Sequence, residues 1–189
     1  MGLHNLFGLV FCNSSQNNDG LDTGLKLVDD RTRLMVAADK LSRSEIPVFI
    51  SIGEDQINDY NKVFNEKNII KGISGHPFPL CSLLSAHQKY PKKDILALSC
   101  NLTQINRESI IKLLKQYSLQ PSYDFFCFQN DEGLFEWSLA IYTSKTLKNL
   151  SKEIKESGNA FKFEQYLNLQ KCFPIKIKKK ELAFFAFSP

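Results

Sequence analysis

Apolar runs alternate with amphipathic stretches along this chain. Residues 6–12 (LFGLVFC) form a continuous run of β-forming apolar residues that stops at the polar, turn-rich stretch 13–24 (NSSQNNDGLDTG). That is the pattern of a strand buried on both faces and feeding a loop. Between residues 31 and 41, Leu34, Met35, Ala37, Ala38 and Leu41 fall at helical spacing, and residues 46–52 (IPVFISI) return to the buried-strand pattern. A helix around 56–66, a short strand near 68–70, a helix through 80–89 and a strand over 95–100 follow in turn. Alternation of this kind predicts a parallel sheet with helices on both faces.

The second half continues with a helix near 108–116 and a strand over 124–129, before residues 137–142 open a less regular region. Residues 143–157 place Leu147, Leu150 and Ile154 on one stripe and Lys145, Lys148, Lys152 and Lys155 elsewhere, the signature of an amphipathic surface helix. A shorter helix over 160–168 follows the Ser157-Gly158 break, and strands over 172–177 and 183–187 finish the chain. No repeat and no linker divides it. The expectation is one domain over residues 1–189: a three-layer α/β/α sandwich with a mostly parallel, Rossmann-like sheet and an antiparallel addition from the second half.

Composition narrows the class. With 43% hydrophobic and 23% charged residues among 189, the chain can bury a real core without metal or disulfide staples. Its apolar stretches, such as 95–98 and 182–187, are too short to cross a bilayer, and the N-terminus lacks the features of a secretory signal, so a cytoplasmic, membrane-free protein is expected. The five cysteines (Cys12, Cys81, Cys100, Cys127, Cys172) stand singly, without a CxxC pair, which suits a reducing compartment and a packing role. His4, His76 and His87 are dispersed, with no metal-ligand spacing. The net charge of +4 gathers around Lys176 and residues 178–180, but no nucleic-acid-binding motif accompanies it. A GxSxG elbow, a GxxxxGK[ST] loop and an HExxH helix are all missing.

The candidate chemistry lies in the first loop, because open α/β sheets bind ligands beyond the carboxyl ends of their strands. Residues 8–27 (GLVFCNSSQNNDGLDTGLKL) resemble the opening of the molybdenum cofactor guanylyltransferases, approximately LAGGxSxRMGxDK followed by an apolar pair. Cys12, Asn13 and Ser14 occupy the AGG positions, Gly20 the later glycine, Asp22 the aspartate and Thr23 the lysine. Residues 78–86 (FPLCSLLSA) are similar to that family's GPLAGLLSA, and residues 96–102 (LALSCNL) to its strand ending in CDMP. Residues 134–142 with the basic helix after them resemble its returning segment, and residues 184–189 (FFAFSP) its closing NVNTP.

The resemblance implies transfer of a guanylyl group from GTP to molybdopterin, with Mg2+, releasing pyrophosphate. It implies Asp22 and Thr23 as catalytic residues, Cys12, Asn13, Ser14, Ser15, Gly20 and Lys71 around the nucleotide, and Asn101 at the metal position. Several family groups are replaced. Asn13 and Ser14 stand for the paired glycines, Gln16, Asn17 and Asn18 for the loop's basic residues, and Thr23 for the lysine. Asn101 stands for an aspartate, Phe185 and Phe187 for closing asparagines, and Lys71 near an expected acidic residue that reads the base. Whether the chain is an enzyme therefore stays open. The alternative is a non-catalytic binding protein that retains the fold.

Overall fold

The computed structural model describes residues 3–12, 22–73, 75–158, 161–177, 181 and 185. Among these, strands β1 (Leu6–Phe11), β4 (Val48–Ile52), β5 (Ile69–Lys71), β6 (Asp94–Ser99), β7 (Phe125–Gln129), β8 (Phe135–Tyr142) and β9 (Cys172–Lys176) build one sheet in the order β5-β4-β1-β6-β8-β7-β9. β8 runs antiparallel to both β6 and β7, and all other neighbours pair in parallel. Strands β2 (Leu27–Val28) and β3 (Arg31–Thr32) form a separate hairpin, turning through Asp29 and Asp30 at φ 48° and 61°. Two consecutive left-handed residues are what a tight two-residue hairpin requires, and aspartate tolerates that region better than most side chains.

The unbroken apolar runs are explained by position. β1 and β6 lie side by side in the middle of the sheet and every residue of both is buried. Their side chains alternate between two cores. Leu6, Val10, Leu96, Leu98, Phe126, Phe128, Leu139 and Ile141 face one side, where α1 (Arg33–Ser42) and α4 (Arg107–Leu119) bring Leu34, Leu41, Ile110, Leu113 and Tyr117. Phe7, Leu9, Ile95, Ala97, Phe125 and Tyr142 face the other, against α3 (Leu80–Lys89), α5 (Ser144–Ser157) and α6 (Phe163–Leu169). The result is the expected three-layer α/β/α sandwich.

Differences from the sequence reading have local causes. The helix expected over 56–66 shrinks to α2 (Ile57–Tyr60), flanked by turns and a 3-10 turn over Glu66–Asn68. The helix closes at Asn61, and Asn65 starts the 3-10 turn instead, its side-chain oxygen accepting the Lys67 N–H at 3.0 Å. The irregular region expected from residue 137 is instead a full strand, β8. It is set up by a turn in which the Asn130 side chain accepts from Leu134 N (2.9 Å) and Glu132 N (3.1 Å). The first two residues of the helix expected from 31 belong to β3, and the helix begins after Thr32, whose hydroxyl caps Met35 N at 3.2 Å. The closing strand expected over 183–187 lies outside the described residues except for Phe185, which is buried against Phe128. No helix among the described residues is long and apolar enough to cross a membrane.

Candidate functional site

Strand order reverses beside β1: β4 and β5 lie on one side of it, and β6 with the later strands on the other. The carboxyl ends of β1 and β6 therefore border the switch point where open α/β sheets take ligands. Asn13, Ser14, Ser15 and Gly20 lie outside the described residues, so the mouth is defined by Cys12, Asp22, Thr23, Asn101 and what surrounds them.

Asp22 is the hub. Its carboxylate caps the 3-10 turn Thr23–Leu25 by accepting Gly24 N at 2.8 Å, and it also accepts the Tyr60 hydroxyl and the Gln56 side-chain amide. Gln56 in turn accepts Gly53 N at 2.5 Å, just past the end of β4. The aspartate thus ties the chain leaving the first loop to the segment after β4, and both its oxygens are engaged by protein donors. Thr23 is only 5% exposed and faces the interior.

Cys12 lies beneath this network. Burial, followed by its hydrogen bond to and charge interaction with Cys100, pushes its thiol well above the usual range; the Tyr60 hydroxyl opposes this only in part. Burial, the Cys12 contact and the Asp22 carboxylate raise Tyr60 as well. A buried thiol with a raised pKa is inert as a nucleophile. All five cysteines are free. Gly24 lets the three groups meet, because a Cβ there would fall 2.5 Å from Cys12 Sγ and closer still to the Tyr60 oxygen.

Asn101 is exposed just beyond β6 and accepts Arg33 Nη1 at 3.3 Å through its side-chain oxygen. It does not cap the next helix; Asn106 does, accepting Ser109 N at 2.9 Å. Lys71 ends β5, two strands from β1, so it does not share the Asp22 network. There it lines an edge groove of about 450 Å³ with Glu66, Gln88 and Lys89.

A second groove opens at the same end of the sheet, on the α3 face. Phe78, Pro79, Trp137, Phe161, Lys162 and Phe163 line about 510 Å³. Phe78 stacks edge-on against Phe11, the last residue of β1, with ring centres 5.0 Å apart, and continues to Trp137 at 6.3 Å. β8 places Trp137 half-buried at the edge of this groove, packed against the core on the α3 side.

Tyr60, Gln56 and Cys100 carry no local signal for the site, since their partners at Asp22 and Cys12 are 34 to 88 residues away in the chain. Arg33 does carry one. A cation in the first turn of a helix opposes the helix dipole, so an arginine there asks for an explanation.

This sheet order and the position of the mouth define a class: the chain has the nucleotide-diphospho-sugar transferase fold. Among solved structures, molybdopterin-guanine dinucleotide biosynthesis protein A from Archaeoglobus fulgidus aligns with a TM-score of 0.72 at 12% identity, covering 92% of this chain and 85% of that one. A cytidylyltransferase from Leptospira borgpetersenii aligns at 0.66 and 16% identity, over 97% of this chain and 82% of that one. A Mycobacterium tuberculosis protein solved in complex with manganese aligns at 0.62 and 11% identity, over 92% and 88%. At these identities the likeness is one of fold. No family model matches the chain, and no curated protein matches it.

Proposed function

We propose that residues 1–189 act as one nucleotidyltransferase-like domain related to the molybdenum cofactor guanylyltransferases, taking GTP at the carboxyl mouth and molybdopterin as acceptor. In such a transfer an acceptor phosphate oxygen bonds to the α-phosphorus of the triphosphate. The bond to the bridging oxygen breaks and pyrophosphate leaves. The observation that carries the reading is that β1 ends at the switch point and that Asp22, ten residues beyond Cys12, is tied to Tyr60 and Gln56 beside it. The aromatic groove from Phe78 to Phe163 supports a planar, bicyclic acceptor such as a pterin, because flat heterocycles stack on aromatic walls. Free cysteines fit a reducing, cytoplasmic setting.

Magnesium does not fit the described residues of the mouth. This hard cation prefers carboxylate oxygens, yet both Asp22 oxygens take protein donors and Asn101 offers a neutral amide already held by a guanidinium. No group of three or more His, Cys, Asp or Glu able to hold a metal exists among the described residues.

A second reading, a non-catalytic binding protein using the same cleft, is favoured by one specific observation. Of the two residues expected to be catalytic, Asp22 already accepts three protein donors and Thr23 is buried. The test that separates the readings is pyrophosphate release from GTP in the presence of molybdopterin. Release above a no-protein control supports the transferase. Saturable GTP binding without release supports the binding protein, and neither result leaves the cleft to a different ligand.

A further inference from the structure

We propose that Arg33 is the phosphate-binding cation of this mouth, so that a di- or triphosphate group is held by a guanidinium in place of a protein-bound divalent metal. The inference rests on the nucleotide reading of the cleft and narrows it to how the phosphates are bound.

Arg33 is the first residue of α1, and the first turn of that helix contains no acidic residue. Its charge therefore adds to the positive end of the helix dipole, a combination that is unfavourable until an anion arrives. The guanidinium reaches across to the end of β6, where Nη1 donates to Asn101 Oδ1 at 3.3 Å. A neutral amide orients the group without cancelling its charge. Arg33 also forms no ion pair among the described residues, although Arg31 and Arg43 both reach Asp39. Asp22, the acid of the mouth, is occupied by Gly24, Tyr60 and Gln56.

Nε shows that the chain itself supplies no further acceptor to the guanidinium. It is buried and has no hydrogen-bond acceptor. A buried donor left unmade is costly, and native structures rarely keep one without a functional reason. Arginine presents its donors as a planar fork that matches phosphate oxygens, which a lysine at the same place would not. A guanidinium that the chain supplies with no anion and a helix N-terminus thus coincide beside the sheet's switch point, and a phosphate at the outer guanidinium nitrogens answers both.

The experiment is calorimetric titration of the full chain with inorganic pyrophosphate in buffer containing EDTA, using wild type, Arg33→Gln, Arg33→Lys and Asn101→Asp, each first checked for an unchanged unfolding midpoint. Wild type binds without metal. Arg33→Gln weakens binding by roughly 10-fold or more, the loss expected for a charge-assisted contact, and Arg33→Lys retains part of it. Asn101→Asp is the sharper variant. If Arg33 holds the phosphate, the new carboxylate pairs with the guanidinium and weakens binding in EDTA and Mg2+ alike. If the position is a metal site, the same change strengthens Mg2+-dependent binding. Wild-type binding that requires Mg2+, an Arg33→Gln affinity equal to wild type, or no pyrophosphate binding would each overturn the proposal. Arg33-dependent pyrophosphate binding without nucleotidyl transfer sinks the transferase reading alone, whereas Mg2+-dependent transfer that ignores Arg33→Gln sinks this proposal alone.

Discussion

Gly24→Ala probes the network under the mouth. Its new Cβ would sit 2.5 Å from Cys12 Sγ and 3.1 Å from Cys12 Cβ, and closer than either to the Tyr60 oxygen. Ordinary carbon contacts lie at about 3.5–4.0 Å, so both neighbours must retreat by roughly 1 Å or more. Neither has room, because Cys12 is 4% exposed and Tyr60 0%. Overpacking of this kind costs about 1–3 kcal/mol. Moving Tyr60 also breaks its donation to the half-buried Asp22 carboxylate, and loss of that charge-assisted bond adds about 1–3 kcal/mol. The sum, about 2–6 kcal/mol, is a large share of a typical domain's total of about 5–15 kcal/mol. Urea unfolding followed by the fluorescence of Trp137, the single tryptophan, measures it as a lower midpoint at unchanged slope. Gly75→Ala is the control. It has open space around its Cβ position but φ +88°, so only backbone strain of about 1–2 kcal/mol is expected. A Gly24→Ala loss no larger than the Gly75→Ala loss would refute the packing argument.

Three further expectations follow from the same contacts. Thr23→Lys puts an ammonium into a site that is 5% exposed, so it should cost at least about 2 kcal/mol in the same urea assay without tightening GTP binding; a tighter GTP complex at unchanged stability would show that Thr23 faces the ligand. Asp94→Ala removes the acceptor of the Tyr117 hydroxyl and of Ser144 N, both at 2.7 Å, and should destabilise by about 2–5 kcal/mol; less than about 1 kcal/mol would mean that neither bond matters. Burial raises Tyr60, Tyr117, Tyr142 and Tyr166 in the folded state, so the unfolded chain loses these protons first and stability, intact below about pH 10, falls above it. Ultraviolet titration should show these four phenols ionising together with unfolding, and ionisation of all four in a chain that stays folded would contradict the burial assignment.

Much of the fold was legible because its strongest signals are local. β1 and β6 sit centrally, so their runs are apolar on both faces, and α3 coincides with the expected helix because Leu80, Leu83, Leu84 and Ala86 make one continuous buried stripe. What escaped the pattern depended on distant partners. β8 reads as irregular because its alternation includes Glu136 and Ser138, and its strand character comes from lying between β6 and β7. The site divides the same way. The resemblance singles out Asp22 and Asn101, whereas the engagement of Asp22 by Tyr60 and Gln56, and the reach of Arg33 to Asn101 across 68 residues of chain, exist only once the sheet has assembled.

The most direct test of the central claim is thermal unfolding of the full chain against GTP, CTP, ATP and UTP, each in EDTA and in Mg2+. A ligand at about 100 times its dissociation constant adds about 2.7 kcal/mol, which for a chain of this size raises the midpoint by roughly 5–10 °C. The account predicts such a rise with at least GTP, and predicts that it persists in EDTA. A midpoint unmoved by every triphosphate at saturating concentration would contradict the account of the mouth as a nucleotide site.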